Sequence, residues 1–191
     1  MGVVNENSRC IPVGDGCTQS SDRSWGYYRV SSMNTGAGGR ETLELTDAAW
    51  EYAGAVEFGE ETTLECGRCS GREVWMQSRD TFTRPVSITA EMKADHPECI
   101  TMSLFADSHE KNAPYSIETG AWSTKIRVFP GDYVEEVGTN DHWHSVRIEA
   151  TSDGEVRYSL DDVVKYTVTD TTLQSGKIQV RASCTGNRTR Y

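Results

Sequence analysis

The sequence lacks several features that would each point to a particular class of protein. No apolar run approaches the roughly 20 residues of a membrane-spanning helix, so we expect no membrane insertion. Basic residues are few: 19 Lys and Arg stand against 29 Asp and Glu, which gives a net charge of −10 at pH 7. This balance argues against nucleic acid as a partner. Internal repeats, low-complexity tracts and long helical patterns are also missing.

What the chain does contain is a succession of short segments in which apolar and polar residues alternate. Three of them follow one another between residues 140 and 168, separated by turn signals at Asp153-Gly154 and Asp161-Asp162. In the first segment, Val146 and Ile148 point to the same side because side chains alternate along a strand. The pattern predicts an antiparallel meander with one apolar face. Similar segments from residue 73 onward predict an all-β sandwich.

The meander resembles the corresponding part of the concanavalin A-like jelly rolls, which include lectins, LamG modules and glucanases. The family order is W-H-x-hydrophobic, then D-G, then Y/L-x-h-D-G. The matching residues here are Trp143-His144-Ser-Val146, Asp153-Gly154 and Tyr158-Ser-Leu160-Asp161-Asp162. Asp162 replaces the second Gly of the family, a change that Asp tolerates in a turn. The resemblance covers residues 73–184 and implies a two-sheet antiparallel jelly-roll sandwich. We expect the domain to span residues 25–191, after a loop-rich lead-in at 1–24.

The resemblance does not decide function, because this fold hosts lectins, hydrolases, lyases and adhesion modules. In such sandwiches one sheet face is the usual glycan groove, and sugar recognition needs flat aromatic surface and planar polar groups. The outward-facing residues of the predicted strands supply these types. Four or more cations on one face of an acidic protein indicate an anionic ligand, such as a uronate or sulfated polysaccharide. The predicted ligand-binding residues are Trp75, Gln77, Arg79, Lys93, Arg127, Gln179 and Arg181. The alternative is a solvated sheet face with cross-strand Arg–Glu pairs.

We therefore predict a carbohydrate-binding, lectin-like module, and two enzymatic alternatives stay open. The resemblance implies E-x-D-x-x-E for a glucanase, but Glu57 and Glu61, at i and i+4, lack the central Asp. A lyase needs a group that neutralises the substrate carboxylate and a Tyr or His base. The lyase motifs R-S-E-L-R, Q-I-H and Y-x-K-x-G-x-Y-x-Q are absent. The residues whose types could supply this neutralising group or base are Gln77, Arg79, His96, His109, Tyr115 and Tyr133. A third alternative is a structural protein-interaction module.

The cysteines indicate the compartment. An even number in a Gly-, Ser- and Thr-rich β protein favours an oxidising environment, so we expect a secreted or cell-surface protein. Asn187 begins a glycosylation sequon, and Met1-Gly-Val-Val does not begin a signal peptide. The suggested pairs are Cys10–Cys17, Cys66–Cys69 and Cys99–Cys184. A zinc site at the first four, or free thiols, are the alternatives.

We expect no cofactor. LamG-like modules can hold calcium in loops, but no oxygen-ligand spacing like that of an EF-hand occurs here. His142 and His144 could place two metal ligands on one face of a strand, but the resemblance explains His144 as a structural position. Trp143 is expected in the core or at a sheet edge. The pattern does not indicate an oligomeric state.

Overall fold

The computed structural model describes residues 26–36, 40–66, 74–94, 100–107, 114–121, 125–131, 133–136 and 142–182. These residues form sixteen β-strands and no helix. Among them, therefore, no helix is long and apolar enough to cross a membrane. The strands are β1 (Gly26–Gly36), β2 (Arg40–Thr42), β3 (Trp50–Ala53), β4 (Ala55–Glu57), β5 (Thr62–Cys66), β6 (Val74–Ser78), β7 (Phe82–Thr83), β8 (Val86–Ala94), β9 (Ile100–Ala106), β10 (Tyr115–Ala121), β11 (Lys125–Phe129), β12 (Tyr133–Glu136), β13 (His144–Ala150), β14 (Glu155–Leu160), β15 (Val163–Thr169) and β16 (Ser175–Ala182).

The strands form two antiparallel sheets. Sheet A has the order β15-β14-β13-β8-β1-β5-β4, with β2 paired to β1. Sheet B has the order β12-β11-β10-β9-β16-β6-β3, with β7 paired to β16. Buried apolar residues of both sheets belong to one hydrophobic core. The predicted all-β, two-sheet antiparallel sandwich is confirmed.

The core follows the alternation that the sequence predicts. Ile88 and Met92 in β8, Val146 and Ile148 in β13, and Val180 in β16 are all fully buried. Burial of each such side chain contributes about 1.5–3 kcal/mol relative to exposure. The polar residues between them lie on the outer face of their sheet.

The meander forms β13, β14 and β15, as predicted. Asp161 and Asp162 join β14 to β15 with φ angles of 49° and 64°, the left-handed conformation of a tight hairpin turn. The Asp161 carboxylate also contacts β13, because its Oδ1 accepts a hydrogen bond from the Ser145 amide at 3.0 Å. Its Oδ2 lies 3.0 Å from Nδ1 of His144. Asp161 therefore fixes the turn to the neighbouring strand.

The N-terminal part of the sandwich differs from the prediction in one place. Residues 31–40 read as a flexible, Gly-rich segment, but β1 continues to Gly36 and pairs with β8 beyond a bulge between Val30 and Ser32. Long-range pairing here overrides weak local propensity. The sequence of residues 41–52 is compatible with either a strand or a short helix. The structure shows the end of β2, a turn and most of β3 in this segment.

Several sequence predictions fall outside the described residues and stay predictions. They concern the lead-in at 1–24, the disulfide pairing, the glycosylation sequon, two histidines and two tryptophans. Only the backbone of Cys66 is described, at the end of β5. The positions concerned are Cys10, Cys17, Cys69, Cys99, Cys184, Asn187, His96, His109, Trp25 and Trp122. Of the other tryptophans, Trp50 is fully buried, whereas Trp143 is 36% exposed at the start of β13.

One arginine ties together the loops at one end of the sandwich. Arg84 donates from Nε to the Leu173 carbonyl at 2.8 Å, from Nη1 to the Thr151 carbonyl at 3.0 Å, and from Nη2 to the Asp170 carbonyl at 2.7 Å. Its Nη2 also lies 3.3 Å from the Tyr115 hydroxyl. We call this set of contacts the Arg84 clamp. A planar guanidinium suits it because five N–H groups point outward in a fixed geometry.

A bulge in β9 changes the side on which one residue lies. The β9–β16 register shifts between Lys177 and Ile178. At this point Phe105 has a φ of 60° and its ring packs into the core, 5.8 Å from the Tyr115 ring. Its backbone lies against Gly176, where an added Cβ would meet the Phe105 Cα at 2.5 Å.

Candidate functional site

Six polar or aromatic side chains of two adjacent strands lie together on the outer face of sheet B. Gln179 of β16 is paired with Gln77 of β6, and Arg181 is paired with Trp75. Arg79 follows the end of β6, and it and Lys177 of β16 contact the same Glu51 carboxylate at 3.5 Å and 3.9 Å. We call this set of six residues the polar block: Trp75, Gln77, Arg79, Lys177, Gln179 and Arg181.

The middle of the polar block is enclosed, although it lies on the side of the sheet away from the core. Gln77, Gln179 and Arg181 are only 3%, 2% and 5% exposed. Gln179 donates from Nε2 to Oε1 of Gln77 at 3.2 Å. On the outer face of sheet A, by contrast, Thr89 is half-buried and Arg147 is exposed. Buried polar groups are costly unless they are paired, so the protein's own contacts hold these side chains in place.

The polar face continues across the neighbouring strands of sheet B. Ser103 of β9 is paired with Gln179, and its Oγ lies 2.9 Å from Oγ of Ser116 in β10. Ser116 is paired in turn with Phe129 of β11, and the Arg127 guanidinium lies 4.2 Å from the centre of the Phe129 ring. The face therefore carries buried hydroxyl and amide groups between an indole and a phenyl ring. These are the groups that hydrogen-bond hydroxyls and pack against the apolar side of a sugar ring.

The β3 end of this face is charged. The Glu51 carboxylate lies between two cations, with Oε1 at 3.5 Å from Nη1 of Arg79 and Oε2 at 3.9 Å from Nζ of Lys177. The following residue, Tyr52, is paired with the buried Met76 and lies on the other side of β3. It is 41% exposed and makes an edge-to-face contact with Phe58 at 5.3 Å. A hydrogen bond to Asp47, and then its negative charge, raise the pKa of the Tyr52 hydroxyl.

The structure brings together most of the predicted ligand-binding residues. Trp75, Gln77, Arg79, Gln179 and Arg181 are all members of the polar block, and Arg127 lies on the same face three strands away. Lys93 is the exception, because it lies in β8 of sheet A, so its predicted placement on the shared face is wrong. Alternation shows which side of a strand a residue occupies but not which sheet the strand joins. Ligand binding by all of these residues stays a prediction.

Sequence reasoning missed three residues of this face, Glu51, Ser103 and Ser116. Ser103 had a usable signal, since it alternates with the apolar residues of β9. The sequence pattern predicts a loop up to Ser116, but β10 begins one residue earlier, at Tyr115. Glu51 was not predicted because the pattern of its segment fits either a strand or a helix, which leaves the direction of its side chain undetermined.

The described carboxylates of this face do not form a catalytic pair. Glu51 in β3 and Glu118 in β10 are four strands apart, which corresponds to about 19 Å at the usual strand spacing. Glycosidases place their two carboxyl groups about 5–9.5 Å apart. The other candidate pair, Glu57 and Glu61, lies at the β4 edge of sheet A.

Two further candidate roles can be assessed from the described residues. Tyr115 is fully buried, and burial, as the largest influence, raises the pKa of its hydroxyl. It points into the core, away from the polar face. Among the residues that the structure describes, no group of three or more His, Cys, Asp or Glu side chains could hold a metal ion.

Comparison with known proteins gives matches at the level of structure. A Bacillus licheniformis β-glucanase is similar with a TM-score of 0.51 and 14% identity, over 72% of this chain and 79% of the glucanase. The carbohydrate-binding module CBM66 from Bacillus subtilis gives 0.42 and 13%, over 70% and 86% of the two chains. A β-1,3-1,4-glucanase (lichenase) from a mouse hindgut metagenome gives 0.46 and 15%, over 80% and 79%. No protein-family model and no curated protein sequence matches the chain.

The structural match agrees with the strand pattern. At 14% identity the similarity to the β-glucanase concerns the fold and not the residues of a site. The two antiparallel sheets and the absence of helices among the described residues are those of the same sandwich. The chain has the fold of the concanavalin A-like jelly rolls.

Proposed function

We infer that this protein is a carbohydrate-binding module that recognises an acidic polysaccharide on the polar face of sheet B. The proposal includes a secreted or cell-surface setting, which the even number of cysteines and the sequon at Asn187 favour. The fold is one that a β-glucanase also has, which makes a glycan the first ligand class to test.

The enclosed polar block carries this proposal. A solvated sheet face would leave its glutamines exposed to water, whereas Gln77 and Gln179 are buried and oriented by their mutual hydrogen bond. This hydrogen bond fixes the orientation of both side chains, which gives the face a rigid centre and lowers the entropy cost of binding a ligand on it. Trp75, which is half-buried, borders the pair on one side and offers a flat apolar surface.

The charge of the face favours an acidic glycan. Its described side chains include the four cations Arg79, Arg127, Lys177 and Arg181, against the two anions Glu51 and Glu118. The described side chains of this face therefore carry a net positive charge, in a chain whose net charge is −10. Arginine can bind a carboxylate or sulfate through two parallel hydrogen bonds.

Binding without cleavage fits the described residues better than hydrolysis does. The separation of Glu51 and Glu118 leaves this face with no described carboxylate pair that could act as acid and nucleophile on one glycosidic bond. The buried Tyr115 is likewise remote from the face where a lyase would need its base.

The test is incubation of the whole chain with neutral and acidic polysaccharides, with bound protein and new chain ends measured in the same samples. We expect binding to acidic polysaccharides without new ends. Trp75→Ala should weaken the affinity about tenfold or more, as expected for an aromatic anchor. Arg147→Ala, which removes a cation from the outer face of sheet A, should leave the affinity unchanged.

Two results would contradict the proposal. Equal weakening by Trp75→Ala and Arg147→Ala would mean that binding is not confined to the polar face of sheet B. New chain ends in the wild-type sample would indicate an enzyme, and unsaturated ends would then separate a lyase from a hydrolase.

A further inference from the structure

Arg79 and Lys177 are two like charges that lie close together beside β3 of sheet B. Lys177 belongs to β16 and Arg79 follows the end of β6. Both contact the same carboxylate, that of Glu51, at 3.9 Å and 3.5 Å. Like charges held this close repel each other, so the pair needs a counter-anion.

Glu51 supplies that counter-anion from the next strand. It is paired with Gln77 and reaches both cations diagonally, at 3.5 Å from Arg79 and 3.9 Å from Lys177. Both distances exceed the 2.7–2.9 Å of a tight charge-assisted hydrogen bond. The side chains of Glu51 and Arg79 are 44% and 52% exposed, so solvent and ligands reach them. Glu51 thus balances the charge without closing the site.

We propose that Arg79 and Lys177 form a subsite for an oxyanion, a sulfate ester or a carboxylate of the ligand, and that Glu51 occupies it until the ligand displaces it. This rests on the proposed function, because the polysaccharide supplies the oxyanion. Glu51 then sets specificity in two ways. It lowers the affinity for every acidic ligand by competition, and it leaves the binding of neutral chains to the rest of the polar block.

The first experiment uses inorganic sulfate and acetate rather than a glycan. The side-chain NMR signals of Arg79 and Lys177 are followed during titration at constant ionic strength, in the wild type and in Glu51→Gln. We expect saturable binding in both proteins and about two- to fivefold tighter binding in Glu51→Gln, the range set by an exposed ion pair. Absence of saturable binding in Glu51→Gln would overturn the proposal.

Glu118→Gln is the matched control. It removes the same charge from the same face but from β10, three strands away from Arg79. Its affinity for the anions should stay at the wild-type value. Equal tightening by Glu51→Gln and Glu118→Gln would mean that net charge, and not a subsite, is responsible, and would also overturn the proposal.

The second experiment uses a sulfated polysaccharide, a polyuronate and a neutral glucan. We expect Glu51→Gln to bind one or both acidic chains more tightly and the neutral glucan unchanged, and the stronger response identifies sulfate or carboxylate as the group bound. If the wild type binds sulfate but no polysaccharide, the proposed function is refuted and the anion subsite is supported. If the protein binds polysaccharide but neither Glu51→Gln nor Arg79→Gln changes the affinity, the anion subsite is refuted and the proposed function is supported.

Discussion

Position 176 requires glycine, because the structure leaves no room there for a Cβ atom. Gly176 precedes the polar block on β16, and the backbone of Phe105 passes directly against it. An added Cβ would meet three backbone atoms of Phe105 at 2.5, 2.6 and 2.8 Å. Backbone atoms of a paired strand cannot move aside as the end of a flexible side chain can. The bulge that turns Phe105 into the core therefore requires glycine on the neighbouring strand.

Gly176→Ala should lower the free energy of unfolding by about 1–3 kcal/mol or more, because the clash forces the two strands apart. Urea denaturation measures the change. Gly59→Ala is the control. Its new Cβ would lie at an ordinary 3.6 Å from the Glu61 carbonyl oxygen, so the change should stay within about 0.5 kcal/mol. Equal effects of the two substitutions would contradict the packing explanation.

At the same scale, the sequence predicted side-chain direction well and side-chain surroundings poorly. Trp75, Gln77, Gln179 and Arg181 do point away from the core, as the alternation indicates. Their burial was not predictable, because it depends on contacts that are distant in sequence. Gln77 and its partner Gln179 are 102 residues apart along the chain. A local pattern carries no information about such a pairing.

The turn between β14 and β15 shows how two like residues can have opposite effects on one element. Asp161 and Asp162 both have positive φ, which a residue with a Cβ adopts at some cost. Asp161 offsets that cost through its contacts with Ser145 and His144. The structure assigns no such contact to the Asp162 side chain, which is exposed.

Asp162→Gly should therefore raise the free energy of unfolding, by up to about 1 kcal/mol. Asp161→Gly should lower it, since the loss of the carboxylate contacts outweighs the gain in backbone freedom. Thermal unfolding of the two variants under identical conditions gives the comparison. Changes of the same sign in both would show that the backbone conformation alone controls this turn.

The sequence predicts the bounds of a strand best where strong turn residues stand at both of its ends. The sequence pattern predicts strands at residues 125–129, 144–149 and 155–160; β11 and β14 have these bounds, and β13 is one residue longer. β1 was underestimated because Gly and Ser have weak strand propensity and its pairing with β8 is specified from outside. The sheet to which each strand belongs was not predictable at all, which is why Lys93 was assigned to the wrong face.

For the molecule as a whole, the Arg84 clamp and the adjacent Asp170 link stability to pH. Hydrogen bonds from the Thr172 hydroxyl and then the Thr172 amide hold the pKa of the Asp170 carboxyl below its ordinary value of 3.8. A carboxyl group whose pKa is depressed by folding contributes stability that is present above the unfolded value. That contribution is lost as the pH falls from about 3.8 through the folded pKa.

Asp170→Asn should therefore make stability less dependent on pH below about 4, by at most the slope of one proton, about 1.4 kcal/mol per pH unit. Chemical denaturation at a series of pH values between 5 and 2 measures this slope. Thr172→Val, which removes the largest cause of the shift, should change the slope in the same direction but less. An unchanged slope in Asp170→Asn would mean that other carboxyl groups control how the free energy of unfolding falls at acid pH.

The position of β16 has a consequence for how the protein is made. This strand is the last that the structure describes, yet it lies in the interior of sheet B, between β9 and β6. A nascent chain that has not reached residue 182 leaves β6 and β9 without their shared partner, so sheet B is incomplete until that strand has left the ribosome. Folding is therefore expected to finish only after synthesis of this region. During synthesis the exposed strand edges would need protection from pairing with other chains.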